Sequence, residues 1–295
     1  MISVKRSIRS EEVLHDGQHV LFVEGTDSDS VDPTVLNELF DNGLRIRPLG
    51  PSFSVKSVAK ALSHHPSYYF LIDRDHQDDA FIEECWTNFP NPDTHNLLVW
   101  KRREIENYFL EPDYLVRSTY CKVSKEKLES KVLQFSQERL FLDAANHVII
   151  VIREELKQNW IHKFSCSDDF PNKESALEML KKAPDFGAHA SNVTRQVSVD
   201  ELEIRFNECL YSMTGGQNQI SFGTGLWLEM IQGKKVLSHV INSECFCVKA
   251  TDGKLLSGKE KLNAVIKDLL KKDEILLPDD FRKLKKLISK RLNGN

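Results

Sequence analysis

The stretch FLIDRDHQDDAF, Phe70 to Phe81, passes from apolar to acidic within three residues. Asp73 and Asp75 close the run SYYFLID, and His76, Asp78 and Asp79 follow. A short apolar run of this kind, bounded by polar residues, reads as a buried strand. Carboxylates gathered at its end repel one another, so a positive partner is expected there. Aspartates also cap the helices that follow strands. Asp78 and Asp79 suit the opening turn of a helix over AFIEECWTNF, where the helix dipole favours negative charge.

Outward from this stretch, residues 19 to 110 alternate between strand and helix. HVLFVEG is a short strand ended by Gly25, and DPTVLNELFDNG is a helix with Pro33 at its start and Gly43 at its stop. LRIRPLG is a second strand. SVKSVAKALSHH is a second helix, with Val55, Val58, Ala59 and Leu62 on one face, and NLLVWKR is a fourth strand. Crossovers of this length imply a mostly parallel, Rossmann-like sheet covered by helices, which is an α/β fold. From about residue 113 the pattern turns helical, over Lys125–Trp160, Lys173–Lys182, Val199–Met213, Leu226–Val240, Lys259–Lys271 and Asp279–Leu292. The expected division is therefore an α/β domain over 1–112 and a mainly helical region over 113–295. The Gly-rich TGGQNQISFGTG, Thr214 to Gly225, reads as a flexible connection or as a loop near the site.

Composition bounds the function classes. With 295 residues, 40% hydrophobic, 28% charged and only 13 Gly and 10 Pro, the chain can bury a large core and is not of disordered type. No apolar run approaches the ~20 residues that cross a bilayer, and MISVKRSIRSEEV lacks the apolar core of a signal peptide, so a cytoplasmic location with no membrane contact is expected. The six cysteines are scattered apart from CFC, whose spacing is too tight for a common zinc site. A net charge of −4 argues against coating nucleic acid by bulk attraction, while leaving room for a local basic groove.

In open α/β sheets, ligands bind beyond the carboxyl ends of the strands, where strand order reverses. Glu24 ends the first strand, Asp73 and Asp75 end the third, and these two strands are neighbours in the common doubly wound order. Period-two alternation sends Asp73 and Asp75 to one side and Arg74 to the other. Three carboxylates can thus converge on a hard divalent cation, Mg²⁺ or Mn²⁺. His76 reads as a polar loop residue that would suit Mn²⁺ or proton transfer.

These residues carry a resemblance. VEG at 23–25 followed by DRD at 73–75 resembles the TOPRIM domain of topoisomerases, primases and OLD-type nucleases. WKRREIENYFLEP, Trp100 to Pro112, is similar to the segment after the fourth strand in OLD-related nucleases, and LEMIQGKKVLSHV resembles their GK-containing closing helix. Size and arrangement look most like the stand-alone TOPRIM nuclease of two-gene PARIS-type phage defence systems. That resemblance implies two metal ions and a partner ABC-type ATPase that holds the nuclease inactive. It also implies release by a phage trigger, a homodimer, and cleavage of host tRNA. Many relatives carry an acid four residues after the first glutamate. Here that position is Ser28, and Asp27, a candidate metal ligand, or Asp29 stands beside it.

Phosphodiester cleavage needs an activated oxygen nucleophile and stabilisation of the leaving oxygen, which divalent metals supply. Glu24 would then be a metal ligand or general base, with Asp73 and Asp75 anchoring the principal ion. Glu106 is a further candidate ligand, unless REIEN is a solvated helix start with Glu104 and Glu106 favoured by the dipole. Lys234 could neutralise developing phosphorane charge, or lie on an ordinary charged surface. Lys101, Arg102 and Arg103 form a basic cluster for flanking phosphates, and Trp100 or Tyr108 would stack bases unless both are core residues. The basic, amphipathic C-terminal KLKKLISKR reads first as an ordinary terminal helix and second as a nucleic-acid or partner contact. The competing readings are a DNA endonuclease of OLD type, a non-catalytic TOPRIM-like binding module and a receiver-like domain. A receiver would want a paired acid after the first strand and a lysine ending a fifth, and neither is clear. Primase and topoisomerase functions lack their accompanying modules.

Overall fold

The structure is a computed structural model, and it describes residues 19–26, 31–75, 77–91, 96–158, 171–182 and 184–292. Its sheet has four parallel strands, β1 (Val20–Val23), β2 (Arg45–Pro48), β3 (Tyr68–Ile72) and β4 (Leu97–Val99), in the order β2-β1-β3-β4. The crossovers are α1 (Asp32–Leu39), α2 (Ser52–Ala61) and α3 (Asp79–Asn88). Parallel strands need such crossovers because a tight hairpin cannot join them. β1 and β3 are buried along their whole length, as their unbroken apolar runs require. β2 is the more exposed edge and ends on Pro48, which an edge strand tolerates. The chain leaves β1 for β2 on one side and returns to β3 on the other. Strand order therefore reverses between β1 and β3, with Val23 paired to Leu71 in register.

Beyond β4 a 3₁₀ turn (Ile105–Phe109) and the short α4 (Pro112–Leu115) lead to the long α5 (Lys125–Gln158). There follow α6 (Lys173–Lys182), α7 (Pro184–Gln196), α8 (Val199–Thr214), α9 (Trp227–Met230), α10 (Gly233–Asn242), α11 (Gly258–Leu270) and α12 (Asp279–Leu292). The chain is α/β in its first part and helical in its later part. The expected end of α5 at Trp160 lies outside the described residues. α7 was not expected, since PDFGAHASNVTRQ holds Gly187 and several weak helix formers.

The compact units do not divide at residue 113. One comprises residues 1–139 with 226–295, and the other residues 140–225. The reason within the first unit is aromatic packing. Trp100, fully buried, lies 5.2 Å from the Tyr108 ring and 5.5 Å from Phe281 of α12, centroid to centroid. α12 also buries Leu284 and Ile288, so KLKKLISKR is an ordinary terminal helix packed by its apolar face. In the second unit the Gly-rich 214–225 segment is a close-packed turn. Gly215 ends α8 in the left-handed conformation, and a Cβ on Gly225 would sit 2.2 Å from the Met213 carbonyl oxygen.

Candidate active site

The carboxyl ends of β1 and β3 bring the first two acids together. Glu24 follows β1 directly, is half-buried, and its Oε1 accepts the Asp73 backbone N–H at 3.1 Å. Asp73 is half-buried and Asp75 exposed. β3 stops at Ile72, and Asp75 takes a left-handed φ of 46°, so strict alternation does not carry the two aspartates onward. Both nevertheless act electrostatically on or with Glu24. Arg74 turns elsewhere: its guanidinium donates to the Lys101 carbonyl at 2.7 Å, to Asp79 at 2.6 Å and to Glu229 at 3.2 Å. Asp78 is a cap, accepting the Phe81 N–H at 2.8 Å, so the capping reading holds there.

Two further elements add acids. Asp32 in the first turn of α1 raises the pKa values of Glu24, Asp73 and Glu106 together. An Asp before Pro33 looks in sequence like a helix-start residue alone, and nothing near it in the chain marks its place among the acids. The 3₁₀ turn contributes Glu104 and Glu106. Glu106 is 4% exposed, so the solvated reading fails for it. Burial pushes its carboxyl up to about 8, reinforced by Asp32 and Glu104 and opposed by a backbone N–H and Lys234. Burial likewise pushes Glu24 up to about 8, with Asp75 and Asp32 adding to the rise and Lys56 opposing it. Burial raises Asp73 well above the usual carboxylate range, with Asp32, Glu24, Glu104 and Glu106 as charged contributors. Among the described residues, six carboxylates thus share one electrostatic neighbourhood.

A clasp between distant segments sets the position of the 3₁₀ turn. Asn107, fully buried, donates its amide to the carbonyls of Leu228 and Ile231, both at 2.9 Å, and accepts the Glu104 N–H at 3.1 Å. Arg103 donates to the Met230 carbonyl at 2.9 Å, and its own N–H goes to the Glu229 carbonyl at 2.8 Å. The expected single helix over 226–240 is therefore broken into α9 and α10, because its carbonyls are taken by residues 103–107. Gly233 opens α10 against Asn107, where a Cβ would lie 2.2 Å from Oδ1. The Lys234 N–H then donates to Glu104 Oε2 at 2.7 Å, and the exposed Lys234 side chain acts on Glu106. The IEN and GK segments, more than a hundred residues apart in sequence, form one structure.

The basic cluster is engaged by the protein itself. Arg102 pairs with Glu111, donates to the Asn107 carbonyl at 3.0 Å and lies over the Tyr108 ring. Lys101 pairs with the exposed Glu83. Trp100 and Tyr108 are core residues, so neither offers a face to a base. The Tyr108 hydroxyl donates to Asp280 at 2.6 Å and receives the N–H groups of Lys101 and Arg102.

The donor set suits a hard divalent cation. It is all carboxylate oxygen, and its members are held partly buried against their own repulsion, which a bound cation relieves. Among the described residues no three such side chains already stand close enough to hold an ion. The residues that would hold it are Glu24, Asp73, Asp75 and Glu106, with Asp32 beside them. Asp27, Ser28, Asp29 and His76 lie outside the described residues.

Fold and site together define an α/β protein with an all-parallel four-stranded sheet, flanking helices and a carboxylate cluster where strand order reverses. No protein-family model, curated protein or solved structure matches the chain. No helix among the described residues is long and apolar enough to cross a membrane.

Proposed function

We propose that the protein is a divalent-metal-dependent phosphodiesterase of TOPRIM type. Its suggested role is that of the toxic nuclease of a PARIS-type defence system, cutting host tRNA once freed from a partner ABC-type ATPase and acting as a homodimer. The observation that carries the chemical part is the hydrogen bond from the Asp73 N–H to Glu24 where strand order reverses, with buried Glu106 acting electrostatically on Asp73. The defence role, partner, dimer and tRNA substrate rest on the resemblance of VEG, DRD, IEN and GK. A bound ion, or two, would supply the activated nucleophile and stabilise the leaving oxygen. Glu24, Asp73, Asp75 and Glu106 would hold it, and the resemblance makes Asp27 a further candidate ligand. Lys234, at the start of α10, offers positive charge to the phosphoryl group. Lys101 is the residue of the basic cluster most free to exchange its partner for a phosphate, since an exposed ion pair is weak. Arg102 and Arg103 hold the site's frame and reach substrate only by giving up those contacts.

Glu24→Gln keeps an acceptor for the Asp73 N–H while removing the charge. With Mg²⁺ or Mn²⁺ the wild-type protein is expected to cut tRNA, and Glu24→Gln and Asp73→Asn to lose at least a hundredfold in rate with unchanged circular dichroism. Full cleavage by either variant would remove the proposed site. Cleavage of DNA alone would favour the OLD-type endonuclease. Metal binding without any cleavage would favour a binding module.

A further inference from the structure

We propose that Phe53 is a nucleobase platform, stacking an unpaired base of the substrate strand beside the phosphodiester held at the acid cluster. The inference rests on the nuclease reading above and names the form of nucleic acid the site accepts.

The placement follows from topology. A crossover helix between parallel strands runs back against them, so the first turn of α2 lies at the carboxyl end of the sheet. Gly25, next to Glu24, exchanges backbone hydrogen bonds with Gly50 at 2.8 and 3.0 Å. The chain that enters α2 therefore starts beside Glu24, and Phe53 is its second helical residue. Val55 and Ala59 face the core. Phe53, two positions before Val55 and so roughly 200° round the helix, points away from it and is 65% exposed. Lys56, three positions on, shares the face of Phe53, and its charge acts on Glu24. An aromatic ring, a lysine and an acid site thus lie in sequence along one surface.

Single exposed apolar residues are common, and position is what distinguishes this one. Phe53 is the large aromatic that is exposed among the described residues of the unit that carries the acids, residues 1–139 with 226–295. Trp100 and Tyr108, buried, are closed to a base. An accessible π-face takes any base that is not already stacked in a duplex, so the ring selects single strands and loops over paired segments. Lys56 would meet a neighbouring phosphate.

The test is equilibrium binding by the full chain, in Ca²⁺ buffer, of a labelled single-stranded RNA, the same RNA in a duplex and the same RNA with one abasic position scanned along it. Phe53→Ala is expected to weaken the single strand about tenfold or more, and Phe53→Trp to preserve affinity. The loss should vanish for the oligonucleotide that lacks the stacked base. Equal affinities of wild type and Phe53→Ala, or a loss that persists on every abasic strand, would overturn the stacking role. Cleavage by wild type in Mn²⁺ would then leave the proposed function standing. A wild type that neither binds nor cuts nucleic acid would overturn both.

Discussion

Glu106 is a glutamate held almost entirely out of water, with Asp32 and Glu104 acting on it. In the metal-free protein its pKa is pushed up to about 8. The folded state then holds the proton more tightly than the unfolded chain. Stability from this group is full below the unfolded value, near 4.5, and is lost as pH rises through about 8. Glu24 acts in the same direction. Melting of the chelated protein is thus expected to fall as pH rises from 5 to 9 over this component, and Glu106→Gln to flatten that slope. At pH 9 the variant should melt above wild type, while at pH 5 the two should converge. Mn²⁺ should raise the melting temperature of wild type at pH 8 and do so less for Glu106→Gln. Differential scanning calorimetry at matched ionic strength reads all four conditions, and a slope unchanged by the substitution would refute the assignment. At this scale Glu24, Asp73 and Asp75 were legible because a charge after an apolar run marks a strand end. Asp32 was not, because its partners are brought to it by other strands.

Among the elements, the break between α9 and α10 shows local preference yielding to tertiary demand. The sequence LWLEMIQGKKVLSHV has helical periodicity throughout, yet Asn107 and Arg103 take the carbonyls of Leu228, Met230 and Ile231. Gly233 is required for close approach: a Cβ there would meet both the side chain and the backbone N of Asn107. Gly233→Ala is expected to cost about 1–3 kcal/mol, as overpacking does. Because the displaced α10 carries the Lys234 N–H that holds Glu104, cleavage should fall with stability. Urea unfolding together with a cleavage assay checks this. A variant as stable as wild type would mean that the clasp yields freely. The strands were readable since each is a short apolar run bounded by turn residues. α7 was not, because weak helix formers leave no periodic signal.

For the whole molecule, the α/β first part does not complete its core by itself. Trp100, Tyr108 and Phe109 pack on Phe281, and Asn107 spends its amide on residues 228 and 231. A chain ending at Pro112 would expose these aromatics and strand buried polar groups. It is expected to lack a cooperative melting transition, whereas the full chain should show one. Thermal circular dichroism and proton NMR dispersion decide, and a well-dispersed spectrum from residues 1–112 would contradict the joint core. One boundary between the two compact units, at residues 139 and 140, lies inside the long helix α5, where no composition shift or Pro/Gly-rich linker marks it; the other, at residues 225 and 226, falls at the end of the Gly-rich segment 214–225.

The residue order alone makes legible the four strands, most of the helices and the strand ends at which charge collects, but not α7 or the break between α9 and α10. Apolar runs, Gly stops and helical periodicity depend on near neighbours, and the β1–β3 adjacency follows from the usual winding of parallel strands. It took long-range packing to bring Asp32 to Glu24 and Asp73, and Glu106 to Asp73. The same packing decided that IEN and GK clasp one another and that Trp100 and Tyr108 are core while Phe53 faces water. Those are contacts across many residues of chain, and their energies arise from burial, charge proximity and close backbone approach, none of which has a local pattern to read.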